Sequence, residues 1–420
     1  IFSDGFESGD VSRWSSPSSG LSDAVSSALI AFAQFQGVLG PGQAAQLAAA
    51  VQSLGRGGAL GLERKESLPA DGGADRAIER GALDGRGDLP IRIWGRGAYS
   101  NFNNDFFVGT ADRRFDGDAF GFNIGADTKI TEKIIVGISG GYQKTEIDID
   151  SLVAEIGEVL YTVSPYAAFR LTDALTLWGT AGVGFGNVET TRGVAPVTGE
   201  TDSFLVHASV TLRGHHRFQA IPLSVTGAGS FLYGRKKLDG FSESDGTVVG
   251  DTVTNLRQSQ IRGTVAYDFG IGQITATPFV EGEWDHDFVD PINGDKGAFE
   301  VGGGLRVSSD TGLGGHVQYS QALDRDKFSR YTVEGSLHYE FAFKDDKSVR
   351  PFAGLNTATS TDPSGGQSLT SGFATGFEYA APEDAFTARF ELRTNATGSH
   401  GLGFDADGEH FLGLNLRKSF

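Results

Sequence analysis

The sequence predicts an all-β protein, a transmembrane antiparallel up-and-down β-barrel of about sixteen strands preceded by a helical segment. Three observations lead there. Apolar residues alternate with small or polar ones from Ile91 to Phe420: Phe120, Phe122, Ile124 and Ala126 fall on one face of a strand, and Gly121, Asn123 and Gly125 on the other. The connections between such stretches alternate between short and long. No run of about 18 or more apolar residues is present, so no transmembrane helix is available, and a chain that crosses a membrane without one does so as a closed barrel.

Residues 1–20 are rich in Ser, Gly, Asp and Pro and read as a flexible linker or the end of an upstream segment. Their Asp and Gly lack the ligand spacing of a calcium loop. Residues 21–54 are helical by pattern, with Leu21, Ala24, Val25, Ala28 and Leu29 at helical spacing and Ser22 or Asp23 as the cap. Gly40-Pro41-Gly42 breaks this helix, and a second continues through Ala44, Ala45, Leu47, Ala48, Val51 and Leu54. Residues 55–89, rich in Gly, Asp, Arg and Glu, connect them to the first strand, so the organisation is 1–20, 21–89 and 91–420.

Within 91–420 the strands centre near residues 95, 122, 139, 165, 180, 208, 227, 263, 279, 303, 317, 336, 353, 374, 389 and 415. That leaves roughly 20 residues for each strand and its connection, enough for a spanning strand of about 9–11 residues and one loop. Short connections are expected at 128–133, 172–174, 270–273, 308–312 and 381–384. Long ones are expected at 100–115, 147–158, 188–202, 237–254, 285–296 and 396–408. Short turns on one side and long loops on the other are the mark of an outer-membrane barrel.

One face then meets lipid, as with Ile134, Val136, Ile138 and Tyr142, or Tyr161, Val163 and Phe169. The other carries Arg92, Arg96, Asp127, His207, Arg213, Arg262, Glu281, Glu283, Arg389, Glu391 and Arg393, the expected lumen-facing wall. A charge at the bilayer midplane on the lipid face costs about 2–4 kcal/mol, which sends these residues inward. The set either holds a lumen helix or lines an open pore.

Composition agrees. The chain has 61 Gly, 31 Phe and 10 Tyr, the balance of close-packed strands with aromatic girdles. It has no Cys, which excludes disulfides, thiolate catalysis and Cys-bound metals. It has no Met and begins at Ile1, as expected of a processed chain or a fragment. Its net charge of −18 argues against nucleic acid.

No enzyme, metal site or cofactor is expected. Asp285-His286-Asp287 lies near a long loop, but neighbours on an extended strand point apart and build no dyad. His215-His216 lacks further ligands. Gly302-Gly303-Gly304 precedes no helix and so is no phosphate loop.

Trp94-Gly95-Arg96-Gly97, the run from Phe115 to Asp127, the run from Ile134 to Tyr142, Ser164-Pro165-Tyr166, Leu175 to Gly184, Leu238 to Ser244 and Thr277 to Trp284 together resemble the translocator domain of Gram-negative autotransporters, over roughly residues 20–341. The resemblance implies an outer-membrane barrel with a helical segment plugging its lumen, where the helices of 21–54 would sit unless they form a small periplasmic or surface cap. The barrel anchors an N-terminal passenger and exports or displays it at the cell surface, where the long loops also lie. It implies outer-membrane lipid, lipopolysaccharide, the barrel-assembly machinery and the chain's own passenger as partners of a monomeric barrel. A porin-like channel is the alternative.

Two features depart from the family pattern. Residues 1–100 contain no Asn, and Asn103-Asn104 follows the first strand, so the family's paired-Asn linker cleavage is not expected. The run Tyr331, Val333, Gly335, Leu337, Tyr339 and Phe341 resembles the strand that closes the family's twelve-stranded barrel, yet 79 residues follow Phe341. Two assembly-related terminal aromatics are thus implied, Phe341 and Phe420. The extra residues are expected to widen the barrel to about sixteen strands; the alternative is twelve strands followed by a separate four-stranded unit.

Overall fold

Sixteen strands of eleven residues or more account for most of the described residues. In a computed structural model, residues 91–419 are described except 105–106, 109–110, 113–114, 132, 150–152, 289–296, 324–328, 344–346, 362–366, 382–385 and 399–408. The helices expected within 21–54, the linker 1–20, the connection 55–89 and Phe420 lie outside the described residues.

The strands are β1 (Ile91–Asn104), β2 (Phe115–Thr131), β3 (Ile134–Ile149), β4 (Ala154–Thr172), β5 (Leu175–Arg192), β6 (Val197–Arg217), β7 (Leu223–Leu238) and β8 (Thr252–Tyr267). They continue as β9 (Ile274–Asp287), β10 (Gly297–Ser309), β11 (Leu313–Leu323), β12 (Ser329–Tyr339), β13 (Ser348–Thr361), β14 (Gln367–Ala380), β15 (Phe386–Gly398) and β16 (Glu409–Ser419).

Each strand pairs antiparallel with the next in sequence, from β1 with β2 to β15 with β16. β1 also pairs with β16, placing Gly95 opposite Leu416 and Tyr99 opposite Leu412. The last four strands continue the same sheet, since β12 pairs with β13 from Ser329↔Thr361 to His338↔Phe352. Phe341 is therefore not a sheet end; it lies in the two-residue strand Phe341–Ala342, paired with Val349 and Ser348 at the start of β13.

Alternation carries through to exposure. Phe120, Phe122, Ile124, Val136, Ile138, Tyr161, Val163, Phe185, Phe204, Phe231, Val280, Val317, Leu337, Leu355 and Leu414 are all exposed, on the face the sequence assigns to lipid. The opposite face is sheltered. It holds the expected Asp127, His207 and Glu391, all buried, but β1 and β3–β5 also bury Trp94, Ile135, Ile147, Ile156, Leu160, Tyr166, Trp178 and Val188 there. That face is more apolar than its small and polar pattern suggests.

Connections are shorter at one end than the other, with a shift from the sequence estimate. The stretches 147–158 and 188–202, expected as long loops, are mostly strand: β3 runs to Ile149, β4 starts at Ala154, β5 runs to Arg192 and β6 starts at Val197. The alternation persists through their acidic and Thr-rich sequence, so pairing continues to Ile149 and to Arg192, the latter followed by a turn at 193–196 with Gly193 at φ 83°. Phe107–Val108 pairs with Ala111–Asp112, and residues 239–251 form a short hairpin of their own, Phe241–Ser242 with Val248–Val249.

Two glycines let aromatic rings lie flat on the sheltered face. Gly125 is the register partner of Trp94, and a Cβ there would stand 2.3 Å from the indole. Gly137 partners Tyr166, and a Cβ there would stand 2.3 Å from the phenol ring. Gly229, by contrast, has nothing within 4 Å of an added Cβ. Gly125→Val is expected to destabilise the barrel by about 1–3 kcal/mol through overpacking, and Gly229→Ala to leave it within about 0.5 kcal/mol. Urea titration of detergent-folded protein, followed by tryptophan fluorescence, measures both.

Candidate functional site

The sheltered face of β1–β7 holds the densest set of partnered buried groups. Trp94 on β1 reaches across β2 and β3 to Tyr166 on β4, and its Nε1–H donates to the Tyr166 hydroxyl at 2.7 Å. That hydroxyl donates in turn to Asp127 Oδ2 at 2.8 Å. Trp94, Ile135, Tyr166, Ala168 and Trp178 form one buried cluster around this relay. Each fully buried aromatic contributes about 1.5–3 kcal/mol, and the hydroxyl relay satisfies a carboxylate that would otherwise be costly to bury.

Towards the other end of the same strands, Ser164 Oγ lies 3.1 Å from His207 Nε2, with Gly182 between them on β5. A Cβ on Gly182 would come within 2.5 Å of both side chains, so the glycine permits the contact. Further along, Lys236 on β7 is fully buried and pairs with Glu158 on β4, and Ser203 on β6 donates to the same carboxylate at 3.0 Å. A pair this deep is stable only with its polar atoms met, and removing one partner typically costs about 3–5 kcal/mol.

Around β8–β15 the wall is made of smaller charge groupings. Arg262 Nε donates to Glu283 at 2.6 Å, directly across the β8–β9 ladder, and Gln260 donates to the other oxygen at 2.9 Å. Gln318 donates to Glu281 at 2.7 Å, and Arg350 to Glu378 at 2.5 Å. Arg389 bonds Glu391 at 3.1 Å and covers the Phe352 ring at 5.0 Å. Arg306 lies 4.1 Å over Phe279.

Of the expected wall, then, Asp127, His207, Arg262, Glu281, Glu283, Arg389 and Glu391 are engaged on the sheltered face, and Arg213 shares that parity on β6. Arg92 and Arg96 lie opposite Asp127 and Asn123 in register, and Arg393 opposite Phe411. The side chains of these three lie outside the described residues. Trp94, Tyr166, Trp178, Glu158 and Lys236 were not part of the expected wall, although Trp94, Tyr166 and Trp178 lie in stretches that carry the family resemblance. The parity of Trp94 with Arg92 and Arg96 was the available signal, because an apolar ring between two charges two residues away faces inward with them.

The remaining candidates separate. His286 faces outward, stacked 5.5 Å from Trp284, on the opposite face from Glu281 and Glu283. His215 bonds Thr226 at 3.0 Å, while His216 packs on Phe218. Among the described residues no three His, Asp or Glu side chains gather as a metal site.

At the long-loop end, residues 239–251 fold back onto the extension of β5 and β6. Arg192 grips Glu243 with two bonds, 2.9 Å from Nε and 2.5 Å from Nη2. Ser244 and Thr198 exchange two bonds, and the Phe241 ring sits where a Cβ on Gly199 would be. Within the loop, Asp245 accepts from Thr247 N–H at 2.9 Å and Asp251 from Gly240 N–H at 2.8 Å.

These backbone bonds hold both carboxyls below their ordinary value of 3.8, with Arg192 assisting at Asp245 and Lys237 at Asp251. Each therefore binds a proton more weakly in the folded loop than in an unfolded one. Their support of the loop is complete above pH 3.8 and is lost as pH falls through the depressed folded values. Limited proteolysis within 239–251 is expected to stay slow from neutral pH down to about pH 4 and to accelerate below it, and Asp245→Asn with Asp251→Asn is expected to flatten that dependence.

The family model for the autotransporter β-domain matches residues 93–322, more than half of the 420-residue chain. Among solved structures, the translocator domain of the autotransporter NalP from Neisseria meningitidis is 12% identical with a TM-score of 0.39, over 82% of this chain and 93% of that one. The β-domain of the Bordetella autotransporter BrkA is 11% identical with a TM-score of 0.40, over 79% and 100%. The outer-membrane protein OpdK from Pseudomonas aeruginosa is 10% identical with a TM-score of 0.41, over 79% and 98%. No curated protein matches the sequence significantly.

Proposed function

This chain belongs to the autotransporter β-domain family, and from that premise we propose that its sixteen strands close into one outer-membrane wall around a lumen that the segment 21–89 occupies. As a member of that family the chain is an outer-membrane translocator of type V secretion. The passenger lies upstream of residue 21, is exported through the lumen, and is held or displayed at the cell surface beside the long loops.

The observation that carries the proposal is the pairing of β1 with both β2 and β16, combined with an exposed apolar face and a sheltered, charge-paired one. Backbone groups in hydrocarbon need partners within the sheet, and a strand series that returns to its first member supplies them. The buried relay at Trp94, Tyr166 and Asp127 and the Glu158–Lys236 pair give the lumen a wall against which a helix about 10–12 Å across can seat. The outward apolar face would meet outer-membrane lipid and lipopolysaccharide in a monomeric barrel delivered by the barrel-assembly machinery. No catalytic step is assigned to the chain.

Planar-bilayer conductance tests the occupied lumen. The intact chain is expected to conduct little, and the chain lacking residues 1–89 to open a steady pore several-fold more conductive. Equal, steady conduction by both would support a porin-like channel instead.

A further inference from the structure

The outward face, apolar along the middle of the strands, carries a cationic cluster where β7, β8 and β9 reach their long loops. Arg235 on β7 and Arg257 on β8 are both exposed and lie diagonally across the ladder, Arg235 opposite Asn255 and Arg257 opposite Tyr233. Diagonal neighbours on one face stand about 7–8 Å apart. His286 on β9 continues the diagonal, since Ser259 partners His286 and Phe288 N–H bonds Arg257 O at 2.9 Å.

Neither guanidinium has a carboxylate partner among the described residues. This is unusual in a chain of net charge −18, where nearby Lys237 is already paired with Asp239 at 2.6 Å and Asp251 at 3.3 Å. Apart from Lys237, held by its two carboxylates, the immediate outward neighbours are neutral: Val206, Tyr233, Val253, Asn255, Ser259 and Phe288.

An aromatic shelf lies beside and below the cluster, Tyr233 and Phe288 level with Arg257 and Phe231 and Trp284 further from the loops. Arg257 covers the Tyr233 ring at 5.8 Å. Phe231 meets Phe288 at 6.0 Å, and Phe288 meets His286 at 4.7 Å. Aromatic rings mark the membrane–water boundary of a barrel, so Arg257, level with Tyr233, and Arg235, two residues nearer the loops, stand at headgroup level. A guanidinium at that level suits a phosphate, with planar, charge-assisted bonds and no carboxylate partner among the described residues.

We propose that Arg235 and Arg257, with His286 beside them, form a site for the phosphate of a phosphorylated glycolipid in the outer leaflet, whose acyl chains lie along the Phe231, Tyr233, Trp284 and Phe288 shelf. The site rests on the outer-membrane reading above, with the long-loop end outward. It is specific in place: the other rim's Arg217 is closed by Asp268 at 2.8 Å.

The full chain is folded into phosphatidylcholine vesicles containing lipid A, extracted in mild detergent, and its retained lipid A counted by native mass spectrometry. Dephosphorylated lipid A, added inorganic phosphate, the Arg235→Gln/Arg257→Gln double variant and Arg217→Gln are run in parallel. Wild type and Arg217→Gln are expected to retain lipid A, and the double variant to lose it about tenfold. Dephosphorylated lipid A is expected to be retained as poorly as lipid A on the double variant, and inorganic phosphate not to displace the lipid. Equal retention by the double variant, or equal retention of dephosphorylated lipid A, overturns the site; displacement by inorganic phosphate reduces it to a free-anion site and also overturns it. Heat-modifiable gel mobility and vesicle flotation are read on every sample. Loss of insertion in wild type would count against the barrel itself, whereas insertion without lipid A retention would count against the site alone.

Discussion

Backbone hydrogen bonding in a medium without water is the constraint on which the rest of this structure depends. A strand in hydrocarbon must satisfy every N–H and C=O within the sheet, because an orphaned group costs several kcal/mol. The pairing of each strand with its successor, and of β1 with β16, meets that demand. The side chains are then free to differ by face, apolar outward and paired or stacked inward.

The sheltered face shows how a wide sheet is kept in register. A one-residue slip on any strand would turn its inward groups towards lipid. Trp94 over Gly125 and Tyr166 over Gly137 fit only in the observed register, and their bonds to each other and to Asp127 span four strands. The Glu158–Lys236–Ser203 grouping ties β4, β6 and β7 near the opposite end of the same strands. Packing and electrostatics thus specify the register that backbone bonding requires but does not itself select.

Much of this was legible because strand side chains repeat every two residues. Phe120, Phe122 and Ile124 declared their face, and Asp127, His207 and Glu391 declared the other. The inward aromatics were not legible, because Tyr166 and Trp178 sit among small residues and need the register partners Gly137 and Thr211 to be placed. Loop ends were misplaced at 147–158 and 188–202, where acidic and Thr-rich sequence reads as loop although its alternation continues. The folded-back loop 239–251 depends on Arg192, 51 residues before Glu243, a distance no local pattern reveals.

Closure between β1 and β16 is tested most directly by a cross-link in a chain that has no native Cys. Gly95 and Leu416 are register partners on the outward face, within the roughly 4.5–5.5 Å Cβ spacing of directly opposed residues. Gly95→Cys with Leu416→Cys should form a disulfide in the outer membrane, and Gly95→Cys with Leu337→Cys on β12 should not. The reverse result, a bond to β12 and none to β16, would mean that the wall closes after twelve strands and that the last four lie outside it.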